Sequence, residues 1–260
     1  MERERIDRYW AQRAEEFSGL RMKDYGGVMR ENYESILREH MPGVAEGRVL
    51  DLGTGAGFFA MIMAGLGWRV AAIDYSAEML EEAKRNAAEH GFGDISFLRM
   101  DAQQLEFADG SFDCVVSRNV TWTLPDPARA YAEMVRVLKP GGRLINFDAN
   151  YGRAFARAEE RGEKPSHPTQ TLEQLLERNE IAKSLYICEK DRPFWDVEVL
   201  RDLGLYRFEL DLEIDRRICA GSTREKVYAG IPKDDREGLF LLCAWKSGQD
   251  SLSSVSAVRT

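Results

Sequence analysis

The run Val49-Leu50-Asp51-Leu52-Gly53-Thr54-Gly55-Ala56-Gly57-Phe58-Phe59 constrains this chain more than any other stretch. An apolar segment ends in alternating glycines, and Phe58, Met61, Ile62 and Leu66 then recur at helical spacing, so the order is strand, tight turn, helix. Gly53 and Gly55 lack a Cβ, which lets the turn take positive φ and lets a ligand lie against bare peptide; Gly57 permits close packing of helix on strand. A dinucleotide fingerprint would read Gly-x-Gly-x-x-Gly/Ala, whereas the spacing here is Gly-x-Gly-x-Gly. Asp51, just before the first glycine, repels a pyrophosphate and suits an ammonium such as the amino end of a methionine moiety. One helix and one strand later, Arg69 to Asp74 delivers a second carboxylate to a strand end, where it can accept both hydroxyls of a ribose. Two carboxylates without a phosphate-binding lysine suit a cationic nucleoside.

These residues resemble the class I S-adenosylmethionine-dependent methyltransferases, in particular the small-molecule branch known as methyltransferase type 11. The resemblance spans roughly residues 48 to 150. It continues through Asp74, Met100-Asp101-Ala102, Phe112-Asp113-Cys114-Val115-Val116-Ser117 and Leu138-Lys139-Pro140-Gly141-Gly142-Arg143-Leu144. It implies that Asp101 receives the adenine amino group, with the backbone amides of Ala102 and Gln103 reaching the ring. The expected cofactor-binding set also takes in Thr54, Tyr75, Ser117, Arg118 and Asn119; the last two, polar at a strand's C-terminal edge, can meet the cofactor's methionine end or a substrate carboxylate, or stand as solvated loop residues. Tyr9-Trp10, Ala14 and Phe17 match the family's lead-in, which folds over the cofactor; a plain packing helix is the competing reading.

The implied fold is α/β, a doubly wound, seven-stranded, mostly parallel Rossmann-like sheet. Residues 1–46 are expected to form an N-terminal helical cap and 47–150 the S-adenosylmethionine-binding core. A lid insertion after the fifth strand should span 151–190, the C-terminal part of the core 191–246, and a disordered tail 247–260. Ser76 is the expected N-cap of a helix from Ala77 to His90, and Thr171-Leu172-Glu173-Gln174 reads as a capping-box start. Lys139-Pro140-Gly141-Gly142 should stop one helix before a fifth strand over Arg143 to Asn150.

Composition excludes some classes. A net charge of −8 over 260 residues argues against a phosphate backbone as main partner. The opening Met1-Glu2-Arg3-Glu4-Arg5 is charged, and no apolar run reaches the ~18 residues of a membrane span, so a cytoplasmic protein with no membrane partner is expected. Cys114, Cys188, Cys219 and Cys243 show no paired spacing, so reduced core cysteines and no metal are expected; a soft-ligand site lined by Cys188 and Cys219 is the alternative.

Transfer from S-adenosylmethionine needs an acceptor held in line and water kept out, so a dedicated base is optional and the catalytic residue stays unassigned. His167 is the histidine best placed to meet an acceptor; a solvent-exposed loop residue is its other reading. His40 reads as a surface residue. Trp122, Tyr151, Phe155 and Trp195 can wall an apolar acceptor pocket, and each can equally be core. The sequence thus points to a methyltransferase enzyme acting on a small organic molecule, as a monomer or homodimer. A nicotinamide-dependent oxidoreductase and a non-catalytic S-adenosylmethionine-binding regulator are the alternatives. The acceptor and its reacting atom are not legible.

Overall fold

In the computed structural model, residues 2–162, 170–223 and 238–248 are described. Among them a seven-stranded sheet is built from β1 (Arg48–Leu52), β2 (Arg69–Asp74), β3 (Ser96–Arg99), β4 (Phe112–Arg118), β5 (Leu138–Asp148), β6 (Arg207–Asp211) and β7 (Phe240–Trp245). Its order is β3-β2-β1-β4-β5-β7-β6. The first five strands run parallel, and β7 pairs antiparallel with β5 and β6. Strand order reverses between β1 and β4, which opens a crevice at their carboxyl ends.

Both faces of the sheet are covered, so its central strands are apolar on both sides. Val49, Val70, Ala72, Val116 and Ile145 point into one core with α3 (Val28–His40), α4 (Phe58–Gly65) and α10 (Ile214–Cys219). Leu50, Leu52, Ala71, Val115 and Leu144 point into the other, beneath α6 (Pro127–Val137) and α9 (Phe194–Asp202). α5 (Ala77–Glu89) begins at the expected N-cap, where the Ser76 hydroxyl accepts from the Met79 N–H. It buries Met79, Leu80, Ala83 and Ala87 and leaves Glu78, Glu81, Lys84 and Arg85 outward, the pattern its 3.6-residue period requires.

A roof lies over the strand ends. α1 (Glu2–Ala11) and α2 (Ala14–Tyr25) come from the N-terminus, and α7 (Tyr151–Glu160) and α8 (Leu172–Ser184) from the segment after β5. Tyr9 of α1 packs with Ile181, Leu185 and Ile187, and Arg5 grips Glu177 through two hydrogen bonds of 2.7 and 3.0 Å. Thr171 and Gln174 form the anticipated capping box of α8.

Two local expectations are corrected. α6 ends at Val137, and β5 already starts at Leu138, because Leu138 pairs with Phe112 before the ladder resumes at Cys114 and Arg143. Lys139 to Gly142 therefore form an irregularity inside the strand. His40 is buried, with Nδ1 2.8 Å from the Ile36 carbonyl and Nε2 3.2 Å from Glu209. The expected tail from residue 249 onward lies outside the described residues.

Candidate functional site

Between the strand ends and the roof lies a cavity of about 350 Å³. Its floor is the turn after β1. Gly53, Gly55 and Gly57 have φ of 70°, 52° and 84°, values that favour glycine. At Gly53 a Cβ would stand 2.4 Å from the Val120 side chain, and at Gly55 3.2 Å from the Phe17 ring. Gly57 faces away from the cavity and packs on Ala83 of α5 rather than on a strand. Asn86 of α5, itself buried, donates to both the Ala56 carbonyl and the Ser18 hydroxyl at 2.9 Å. One amide thereby fixes the turn and the roof helix α2 together.

Three carboxylates stand around this turn. Asp51 closes β1 and accepts from the Thr54 hydroxyl at 2.6 Å. Burial pushes its pKa up to about 6, against the opposing effects of the Thr54 hydrogen bond and the Arg118 charge. Asp74 at the end of β2 accepts from the backbone N–H of Gly55 at 2.8 Å and of Ser76 at 3.0 Å; burial raises its pKa as well. Asp101, just past β3, accepts from the Gln103 N–H at 2.9 Å and pairs with Arg3 of α1 at 2.8 Å. Arg3 also lies over the Tyr75 ring, 5.8 Å from its centroid.

The far wall follows β4. The Arg118 guanidinium rests over Phe58, Phe59 and Tyr33 at 4.7, 5.2 and 5.4 Å and is drawn to Asp51. Asn119 has φ of 57°, a left-handed conformation that asparagine tolerates. Its carbonyl accepts from the Trp122 indole at 3.0 Å and its side-chain oxygen from the Tyr151 hydroxyl at 3.1 Å. Trp122, Tyr151 and Phe155 are neighbours, with ring centroids 4.9 to 6.2 Å apart.

Behind this wall, a buried polar network holds the segment in place. Arg192, wholly inaccessible, donates to Asp196 at 2.8 and 3.0 Å, to the Thr121 hydroxyl at 2.6 Å and to Asp148 at 3.3 Å. Burial works against its cation, and Asp148 and Asp196 overcome that and hold its pKa above the ordinary value. Thr121 donates in turn to Asp148, which also accepts from the Trp122 N–H at 3.1 Å. Trp122 is therefore positioned through its backbone as well as its ring.

The cavity brings together most of the residues singled out from the sequence: Asp51, Gly53, Thr54, Gly55, Asp74, Tyr75, Asp101, Ala102, Gln103, Arg118, Asn119, Trp122 and Tyr151 all line it. Ser117 does not, because its hydroxyl turns inward to Asn146 at 2.8 Å. Trp195 does not either: it packs on Tyr131 and Tyr186, with ring centroids 6.4 and 5.7 Å away. Cys188 lies against Gly152 and Cys219 is buried in a hydrophobic core, and neither reaches the cavity. His167 lies outside the described residues. Sequence reasoning missed Arg3, Arg13, Arg21 and Arg178. The spacing of Trp10, Arg13, Phe17 and Leu20 at three and four residues is the signal that would have exposed one side of this wall.

Strand order and the placement of the crevice define a class of fold, that of the class I methyltransferases. Over 84% of this chain and 52% of the other, it superposes with a TM-score of 0.56 and 21% identity on phosphoethanolamine N-methyltransferase 2 of Haemonchus contortus, solved with S-adenosyl-L-methionine. Residues 50–146 match the family model described as "Methyltransferase domain". A demethylmenaquinone methyltransferase of Clavibacter sepedonicus is 39% identical over 102 residues, 39% of this chain and 41% of that protein. A phosphatidylethanolamine N-methyltransferase of Cereibacter sphaeroides is likewise 39% identical over 102 residues, 38% of this chain and 49% of that protein. The similarity thus covers less than half the length of either relative.

Proposed function

We propose that this protein is an enzyme that transfers a methyl group from S-adenosyl-L-methionine to a small organic acceptor. The observation that carries this reading is the convergence of Asp51, Asp74 and Asp101, from three strand ends, on a turn whose Gly53 and Gly55 face the cavity with positive φ. The residues fit the group. Asp51 offers an anion to the ammonium end of an amino acid and Arg118, whose charge acts on Asp51, a cation to the carboxylate end; Asp74 keeps lone pairs for ribose hydroxyls beyond the Gly55 and Ser76 donors. Asp101 and the amides of Ala102 and Gln103 suit an adenine edge. On the glycine turn itself a diphosphate would meet Asp51, Asp74 and Asp101.

When bound, S-adenosylmethionine supplies an electrophilic methyl on a sulfonium. The protein's part is to orient the acceptor and exclude water, work that supplies on the order of 7 to 11 kcal/mol of barrier lowering. Trp10, Phe17, Trp122, Tyr151 and Phe155 give the cavity an aromatic lining suited to that task. Among the described residues no histidine lines it, and the Tyr151 hydroxyl is already committed as a donor to Asn119. Substrate positioning rather than a dedicated base is the reading these contacts support. The two relatives' names specify different acceptors, a demethylmenaquinone and a phosphatidylethanolamine, so the segment they share does not choose between them.

Among the described residues, no helix is long and apolar enough to cross a membrane. Together with the net charge of −8, this supports a cytoplasmic enzyme whose partner is a small molecule rather than nucleic acid. In the same scheme residues 1–46 act as cap and 151–190 as lid. Calorimetry with S-adenosylmethionine and with NADH tests the assignment. Binding of the first and not the second is expected; binding of NADH alone would replace methyl transfer with hydride transfer. Release of S-adenosylhomocysteine in an acceptor screen then separates an enzyme from a regulator that only retains the cofactor.

A further inference from the structure

With the glycine turn and the three acids assigned to the adenosyl compound, and Arg118 to its amino-acid end, the rest of the cavity wall has a distinct chemistry. It holds the aromatic rings of Trp122, Tyr151 and Phe155 together with two guanidinium groups from different roof elements, Arg13 at the α1–α2 junction and Arg178 on α8. Arg178 lies 3.9 Å from the Phe155 ring centroid. Arg13 lies over Tyr9 and Trp10 at 5.4 and 5.6 Å and donates from Nη1 to the Tyr9 hydroxyl at 3.1 Å. The Tyr9 hydroxyl feels the positive charge of both arginines, and both line the same cavity.

Arg13 is the telling residue because it is buried, at 4% exposure, and underused. A guanidinium offers five donors, and an unsatisfied buried cation is costly. Among the described residues its Nε makes no hydrogen bond; the nearest acid, Glu16, stands 3.5 Å away, with its own Oε1 buried and unpartnered. Gln170, whose side-chain oxygen is 3.5 Å from the Tyr9 hydroxyl, adds no charge. A cation held at a cavity wall with one neutral hydrogen-bond acceptor, and with an acid that it pairs with by charge but does not hydrogen-bond, has donors left for an anion in the cavity.

We infer that the methyl acceptor is an apolar, flat molecule bearing a carboxylate or similar anionic group, and that Arg13, assisted by Arg178, binds that group. This rests on the methyl-transfer reading for the word acceptor, while the anion site stands on its own geometry. The aromatic wall takes the flat body, and the two arginines fix which edge of it turns toward the cofactor. Arg13 and Arg178 are then specificity-determining residues.

Matched carboxylate and carboxamide pairs, namely benzoate, 2-naphthoate and 4-phenylbenzoate against their amides, test this by calorimetry on the protein saturated with S-adenosylhomocysteine. At least one carboxylate should bind tenfold or more tighter than its amide. That preference should fall below threefold in Arg13→Gln, survive in Arg13→Lys and weaken in Arg178→Gln. The affinity for S-adenosylhomocysteine itself should change by less than threefold in all of them. Amides that bind as well as the carboxylates, or no binding by any carboxylate, would overturn the proposal. So would a parallel loss of S-adenosylhomocysteine in Arg13→Gln, which would give Arg13 to the cofactor. Should Arg13→Gln not fold, the half-buried Arg178 variant carries the same comparison. If the unmodified protein binds neither S-adenosylmethionine nor S-adenosylhomocysteine, the methyl-transfer reading fails, and the carboxylate preference is measured on the unloaded protein.

Discussion

Replacing Asp51 by asparagine separates what the site costs the fold from what it gives the ligand. The carboxyl is 2% exposed, and burial moves its pKa from the ordinary 3.8 to about 6. An acid whose folded pKa is raised keeps its proton in the folded state over a window where the unfolded chain has released it. Stability therefore falls as pH rises from 3.8 to about 6, and the penalty is complete above that. At about 1.4 kcal/mol per pH unit, the ionised Asp51 costs the ligand-free fold about 3 kcal/mol at pH 7. Asparagine removes the charge and keeps an acceptor for the Thr54 hydroxyl. Asp51→Asn should raise the ligand-free melting temperature at pH 7 by roughly 5 to 10 °C, with the gap closing below pH 3.8. The same change removes the proposed partner of the cofactor's ammonium, and affinity for S-adenosylhomocysteine should fall about 10- to 100-fold. Near pH 6 the unmodified protein should release protons on binding, seen as a buffer-dependent heat, and the variant should not. Melting curves at pH 4 and pH 7, with and without ligand, check both halves. A variant that is no more stable than the parent at pH 7, or that binds the ligand as tightly, would refute the reasoning.

Asp74→Ala removes the acceptor of two backbone donors, Gly55 and Ser76, along with the proposed ribose contact, and should weaken S-adenosylhomocysteine binding by about 2 to 3 kcal/mol. Unchanged affinity by calorimetry would contradict the ribose assignment. Gly53→Ala places a Cβ 2.4 Å from Val120 at a φ of 70°, and a loss of about 1 to 3 kcal/mol in denaturant unfolding is expected. Arg192→Met leaves Asp148 and Asp196 buried without their cation, and should destabilise the fold by about 3 to 5 kcal/mol. A loss under about 1 kcal/mol would mean that the network does not hold the Trp122 segment as described.

The glycine turn and the acids around it, which line one cavity, were legible because they are written in short, contiguous signals. A strand that ends in a carboxylate and alternating glycines has few ways to fold, and Asp74 follows one helix and one strand later. Ser76 and Thr171 were legible for the same local reason, since a cap bonds within three residues of itself. Errors arose where the deciding contact is distant. Ser117 is at the correct strand end, but Asn146 of β5 claims its hydroxyl. Trp195 begins a helix on the near side of the sequence pattern, yet Tyr131 and Tyr186 draw its ring away from the cavity. His40 looked like a helix-end surface residue, and Glu209, far along the chain, covers it. In β5 the Pro-Gly-Gly signal was read as a stop, whereas strand pairing with Phe112 had already ended the helix one residue earlier.

Acceptor recognition was illegible for a deeper reason. Arg13, Trp122, Phe155 and Arg178 come from four separated segments, and only the closing of α1 and α8 over the strand ends places them around one space. Of these four, Trp122 alone falls within the matched residues 50–146. The floor of the cavity can therefore be shared with proteins whose names specify a quinone precursor or a phospholipid while the roof is not. Such a division follows from the chemistry: every acceptor must meet the same methyl at the same point, so the floor has one ligand to fit, whereas the roof has to fit whatever is brought to it. In this chain the roof presents a buried guanidinium with donors to spare in the cavity that Trp122, Tyr151 and Phe155 also line, and on the proposed reading its charge, more than the shape of the floor, sets what can be held there.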